Sequence, residues 1–196
     1  ISSKRRLAAK GLTKSVTETL TFLEMPKVRF EVSVKKADEL NAFGKDTVEF
    51  LISANVGEPL MPMAKIASGG ELARIMLSLK NVLNVCDGID TVIFDEIDTG
   101  ISGKTSRKVG IKLKEIGKGA QVICVTHSAQ IASLADNHLF VSKKETNGRT
   151  ESAVRTLDNE ERIGEIARIL GGIDVTDIQR AAAKELMAEK SRSTEA

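Results

Sequence analysis

Two stretches decide the fold: TVIFDE at Thr91–Glu96 and QVICVTH at Gln121–His127. Each is a short, continuous apolar run that ends abruptly in side chains able to bind a cation or move a proton. Runs apolar on both faces belong to strands buried from both sides, as in a parallel sheet sandwiched by helices. Between the two runs, Lys104 to Ile116 has helical periodicity and stops at Gly117. After the second run, a helix near Gln130–Ala135 leads to another strand at His138–Ser142. Strands alternating with helices predict an α/β fold with a mostly parallel sheet covered on both sides.

Upstream the period changes. Residues 3–24 place Ala9, Leu12, Val16, Thr19 and Leu23 at 3,4,3,4 spacing with Leu20 beside the seam, and no proline interrupts them. Such a stripe fits a coiled-coil strand or an amphipathic helix packed on its own domain, and it is too short to choose between them. Pro26 ends it. Val28, Phe30, Val32 and Val34 then alternate with polar residues, as do Val48, Phe50, Ile52 and Ala54, which predicts two antiparallel strands joined by a long loop from Lys36 to Asp46. A loop with Gly57, Pro59 and Pro62 leads into a helix from about Gly70 to Val85, with Leu72, Ile75, Met76, Leu79, Val82 and Leu83 on its apolar face. Near the end, Asn147-Gly148 marks a turn. Asp158 or Asn159 can cap a helix ending at Gly171-Gly172, and Thr176 can cap the last one, before a polar, frayed tail. The expected organisation is therefore an arm at 1–25, a lobe at 26–190 and a disordered tail at 191–196.

Composition narrows the function classes. With 41% hydrophobic residues in 196 the chain can bury a core, and no run approaches 18 uncharged apolar residues, which excludes a membrane-spanning stretch. Six Phe with no Trp or Tyr argue against nucleic-acid recognition by stacked aromatics. Cys86 and Cys124 sit in apolar runs and read as small buried hydrophobes of a reducing compartment. The chain opens at Ile1 with no basic-then-apolar leader, the expected look of an internal piece of a longer protein without an export signal. Residues 1–29 hold seven basic and two acidic side chains, +5, which leaves −3 for the remainder of a chain whose total is +2. That basic run can touch DNA phosphates, but a solvated helix face is the simpler explanation.

The reactive side chains gather at strand ends. Ligands of open α/β sheets bind at the carboxyl ends of the strands, so Asp95, Glu96 and His127 are expected in one cleft. A carboxylate just past an apolar strand can hold Mg2+ while its neighbour polarises a water. Ala67-Ser68-Gly69-Gly70-Glu71 opens the preceding helix; two glycines there let backbone N–H groups approach an anion, favoured also by the helix dipole. Ser68 with Glu71 also fits a plain capping box. Gly100-Ile101-Ser102-Gly103-Lys104-Thr105 mimics a phosphate-binding loop but has two residues between its glycines where G-x-x-x-x-G-K-[ST] needs four, and it reads as a helix start. His138 reads as a surface or partly buried structural histidine, and Glu161 and Glu165 as solvated residues of an amphipathic helix.

In order, GEPLMPMAKIASGGELARIMLSLK (Gly57–Lys80), TVIFDEIDTGISGKTSRKVG (Thr91–Gly110) and QVICVTHSAQIASLADNHLFVSK (Gln121–Lys143) resemble the RecN family, SMC-like bacterial DNA-repair ATPases; FLEMPKVRFEV (Phe22–Val32) resembles that family's re-entry from coiled coil into head. The resemblance implies the carboxy-terminal lobe of an ABC-type ATPase head, with ATP and Mg2+ as cofactors. Ala67–Glu71 would be the signature motif, in which Ser68 and Gly70 contact the γ-phosphate of ATP held by the opposite subunit, with Gly69 and Glu71 also among the nucleotide-binding residues. Asp95 would act on Mg2+, Glu96 would be the general base, Asp98 would lie in the D-loop, and His127 would hydrogen-bond the γ-phosphate. It also implies a homodimer of ATP-sandwiched heads, an amino-terminal lobe carrying the Walker A motif, DNA as the target in double-strand-break repair and recombination, and a cytoplasmic, nucleoid location with no membrane. The chain departs from a complete head in having no Walker A motif, so by itself it is expected to be inactive. Other readings are a head lobe of the SbcC type, a non-catalytic dimerisation or docking module, and an independent kinase using Gly103-Lys104-Thr105.

Overall fold

The computed structural model describes residues 1–65, 69–83, 88–146, 149–172 and 174–192, and they divide into two compact units. The first unit comprises Ile1–Ile101 and Glu115–Val125. It opens with α1 (Ser2–Phe22). The apolar stripe is used inside the unit: Val16 and Leu20, both fully buried, pack with Met25, Val28, Phe30, Ile52, Ile75 and Leu79. Each large aliphatic removed from water there contributes about 2 kcal/mol. The helix stops because Glu24 turns left-handed (φ 61°) and the Met25 N–H reaches back to the Leu20 carbonyl at 2.9 Å, with Pro26 barring continuation.

β1 (Arg29–Asn41) and β2 (Gly44–Ser53) form an antiparallel hairpin, and β3 (Met61–Pro62) adds a short third strand beside β2. The long loop expected from Lys36 to Asp46 is instead strand, turning only between Asn41 and Gly44, with a register break between Lys36 and Asn41. The reason lies on α1. Asp46 accepts hydrogen bonds from Ser2 and Arg5, both at 2.9 Å, and Arg5 also donates to the Phe43 carbonyl, so the polar tip is held down by the basic helix start.

α2 (Gly69–Leu83) follows. Its inner side is wider than the expected stripe, because Leu77 is fully buried while Met76 is 41% exposed. β4 (Thr91–Asp95) and β5 (Gln121–Val125) pair in parallel, Thr91 opposite Gln121 and Asp95 opposite Val125. This confirms the α/β class with a parallel sheet and an antiparallel hairpin. The expected double covering is not met: Phe94 is buried, but Ile93, Ile123 and Val125 on the other face are 67%, 42% and 58% exposed.

The second unit comprises Ser102–Lys114 and Thr126–Ala196. Most of α3 (Gly103–Ile116) lies here, and Gly103-Lys104-Thr105 is its first turn, as expected. The Ser102 and Thr105 hydroxyls lie 3.3 Å apart and the Ser106 N–H donates to the Ser102 carbonyl, an ordinary helix start. α4 (Ala129–Ala132) is followed by β6 (Leu139–Thr146) and β7 (Arg149–Thr156). β6 does not join the parallel pair among the described residues; it pairs antiparallel with β7, Leu139 opposite Thr156 and Thr146 opposite Arg149. The Asn147-Gly148 turn lies outside the described residues. α5 (Asn159–Gly171) starts on an Asp158–Glu161 capping box and stops at Gly172, φ 88°. α6 (Asp177–Arg192) starts on a reciprocal pair, Gln179 N–H to the Thr176 hydroxyl and Thr176 N–H to the Gln179 amide oxygen. Ala129, Ala132, Ile163, Ile166, Ala167 and Ala183 form the core. Glu161 and Glu165 are more engaged than solvated residues: Glu161 closes the cap, and Glu165, its side chain 13% exposed, takes two hydrogen bonds from Arg168. No helix among the described residues is long and apolar enough to cross a membrane.

Candidate functional site

The site assembles in the first unit, where the start of α2 meets the loop after β4. Asp95 is the last residue of β4 and is exposed. Glu96, also exposed, has a left-handed backbone (φ 53°). A residue with a Cβ resists that conformation, by roughly 1 kcal/mol, and such strain gathers where a side chain must be aimed. The chain then turns, the Thr99 N–H reaching the Glu96 carbonyl at 3.2 Å, with Gly100 left-handed (φ 72°). Ile97 and Asp98 point inward, 0% and 4% exposed.

Against this turn stands Gly70. A Cβ there would lie 2.7 Å from the Thr99 carbonyl oxygen, whereas a Cβ on Gly69, an exposed position, would meet nothing within 4 Å among the described residues. The two glycines thus differ: Gly70 is required by close packing inside the lobe, and Gly69 leaves the helix start open. Ser68 lies outside the described residues; Glu71 is half-buried in the first turn of α2. Burial pushes the Cys124 thiol up to about 12, and the neighbouring Asp98 and Asp95 carboxylates add to the effect. Cys124 is therefore held as a protonated thiol, and it is half-buried instead of fully buried as expected; Cys86 lies outside the described residues. His127, exposed, follows β5 by two residues and belongs to the second unit.

Among the described residues no group of three or more His, Cys, Asp or Glu side chains forms a metal cage. Mg2+ needs none, since one or two carboxylates with phosphate oxygens and waters complete its shell; Asp95, exposed at the end of β4, fits that pattern. Arg74, buried on α2 directly behind Gly70, is a residue that sequence reasoning missed. Its signal was a charged residue between Gly69-Gly70 and an apolar face.

No family model matches the chain. It is 44% identical over 191 residues to the DNA repair protein RecN of Halalkalibacterium halodurans, 95% of this chain and 34% of that protein. It is 43% identical to RecN of Treponema pallidum, over 98% of this chain and 35% of that protein, and 37% identical to RecN of Bacillus subtilis, over 96% and 35%. The chain thus spans about a third of the length of these relatives. In fold it is similar to the Smc head domain with coiled coil and joint from Pyrococcus yayanosii, TM-score 0.59 at 21% identity, covering 83% of this chain and 29% of that one. It is also similar to a chain of an SMC ATPase studied for ATP-driven dimerization and DNA-stimulated activation, TM-score 0.53 at 18% identity, over 89% of this chain and 100% of that one. With an SMC-head fold and RecN sequence along nearly its whole length, the chain belongs to the RecN family.

Proposed function

We propose that this chain is the signature-bearing, carboxy-terminal lobe of a RecN ATPase head, which hydrolyses ATP only as part of a composite, dimeric site and couples that hydrolysis to DNA double-strand-break repair. The observation that carries this reading is the seating of the α2 start on the loop after β4, Gly70 against Thr99, which puts an anion-favouring helix end beside the loop that follows the Asp95–Glu96 strand end. Phosphoryl transfer asks a protein for little covalent chemistry and much positioning. The open N-terminus of α2 at Gly69 offers N–H donors to phosphate oxygens presented by a second head. Asp95 holds Mg2+, which when bound neutralises phosphate charge. Glu96, aimed by its strained backbone, accepts the proton of the attacking water, and His127 donates a hydrogen bond to the terminal phosphate. Asp98 is buried within the loop, and Thr99 and Gly100 after it are exposed.

The chain contains no G-x-x-x-x-G-K-[ST] loop, so the phosphate cradle is assigned to another part of the full-length protein, the amino-terminal lobe. The bare face of Ile93, Ile123 and Val125 supports a lobe completed by further protein. In a full-length RecN carrying this lobe, Glu96→Gln binds ATP but turns it over at least about 100-fold more slowly, the range of a lost general base. Turnover near wild type overturns the role of Glu96, and robust turnover by the pure chain alone overturns the composite site.

A further inference from the structure

α2 buries a charge where an amphipathic helix would place a hydrophobe. Arg74 keeps 8% of its surface exposed and is flanked along the helix by Ile75, Leu77 and Leu79, all buried. Its Nε donates to the Met25 sulfur at 3.4 Å, and a thioether is a weak acceptor. Its Nη1 is buried with no hydrogen-bond partner among the described residues. Glu71, one turn back, favours the charged form, but burial outweighs it and holds the guanidinium below the usual arginine range. A buried cation left partly unsatisfied destabilises a fold, and replacing it with an apolar side chain of similar volume is commonly neutral or stabilising. The unsatisfied nitrogen is not aimed at random. It lies 3.6 Å from where a Gly70 Cβ would stand, at the first turn of α2, where free backbone N–H groups and the helix dipole already favour an anion.

We propose that Arg74 is the positioning residue for the phosphate bound at the start of α2: the anion supplies the counter-charge that the buried guanidinium lacks, and the guanidinium, held by Met25, fixes the Gly70 turn in its binding geometry. This rests on the reading of α2 as the signature helix, and it assigns to that site a charge behind the helix end in addition to the open amides. Because the cation sits out of solvent, its field at the helix end is weakly screened. A second head's nucleotide then binds a turn already set, and the unliganded protein carries the cost.

The test uses the full-length protein, with ATP-dependent head engagement followed by sizing over an ATP titration and stability by denaturant unfolding. Arg74→Met unfolds at the same or a higher denaturant midpoint, yet the ATP concentration for half-maximal engagement rises about tenfold or more, the equivalent of one charge-assisted interaction. Arg74→Lys, which keeps the charge, restores engagement to within about threefold of wild type on the same scale. Engagement by Arg74→Met at the wild-type ATP concentration overturns the proposal. So does a loss of engagement that tracks a loss of stability and is not rescued by Arg74→Lys, since that is the behaviour of a packing residue. Ser68→Arg separates the two levels of inference: if it blocks engagement while Arg74→Met has no effect, only the Arg74 role fails. If Ser68→Arg leaves engagement intact, the signature reading fails and takes the Arg74 role with it.

Discussion

A single methyl group added to Gly70 or to Gly69 separates two explanations of the glycine pair. If both glycines serve only to let an anion approach the helix, alanine at either should leave the unliganded fold unharmed. Gly→Ala where the backbone is compatible stabilises by about 0.4–1 kcal/mol, by restricting the unfolded chain. Gly69→Ala should show that gain, because its Cβ would meet nothing within 4 Å among the described residues. Gly70→Ala carries the same unfolded-state gain, but its Cβ would stand 2.7 Å from the Thr99 carbonyl oxygen. The obstacle is backbone, so relief requires moving either α2 or the loop that carries Glu96 and Asp98, and overpacking of this kind costs about 1–3 kcal/mol. The two variants should therefore differ by about 1–3 kcal/mol in favour of Gly69→Ala. For a domain of this size that is a separation of about 2–12 °C in unfolding midpoint. Thermal and urea unfolding of the two proteins side by side measures it without any ligand. Equal midpoints would refute the seating of α2 on the Thr99 turn, on which the functional reading stands.

Glu96 offers a sign inversion. At most positions alanine is more stable than glycine, but at φ 53° Glu96→Gly should exceed Glu96→Ala by about 1 kcal/mol, and the opposite order in urea unfolding would remove the strain argument; both should abolish turnover in the full-length protein. Asp46 offers a pH dependence. Hydrogen bonds from Ser2 and then Arg5 hold its carboxyl below the usual value of 3.8, so the folded state favours the ionised form. That contribution is present above about pH 4 and is lost as the pH falls through the lowered folded value. Wild type should be more stable than Asp46→Asn at neutral pH, with the two curves converging in acid; a difference that persists at low pH, where the carboxyl is protonated in both states, assigns the effect to packing.

Legibility from sequence followed the range of the forces involved. TVIFDE and QVICVTH were readable as strands because each is an unbroken apolar run, although one face, with Ile93, Ile123 and Val125, is exposed, and the caps at Asp158 and Thr176 were readable because capping is chemistry within four residues. The β1–β2 tip was not, because what straightens it, Ser2 and Arg5 on Asp46, lies more than 40 residues away in sequence. β7 was missed because RTESAVRT is exposed along its length, so no alternation records which face is inward. Ser-Gly-Gly-Glu announced an anion-favouring helix start, but the different duties of Gly69 and Gly70 depend on where Thr99 arrives. Arg74 escaped for a related reason: composition shows an arginine on a helix, and only packing shows that it is buried.

Three features of the first unit work against stability, and they lie on the same few elements. Glu96 occupies a left-handed backbone at the end of β4, Arg74 buries an incompletely satisfied cation on α2, and the β4–β5 pair leaves Ile93, Ile123 and Val125 exposed on one face. None is explained by folding alone, since the core of Val16, Leu20, Ile52 and Ile75 is conventionally packed and fully buried. Departures from local consistency concentrate where a protein has a task other than folding. Each of these has a different remedy: an anion for Arg74, an apolar surface for the sheet face, and none for Glu96, whose strain is maintained by the Thr99 turn. The first two remedies are binding events, and whatever binds only the folded form adds its own free energy to stability. On the proposed roles, a lobe built this way gains stability with each partner that arrives, so that its stability would report assembly, while the strain at Glu96, maintained by the Thr99 turn, would persist through assembly.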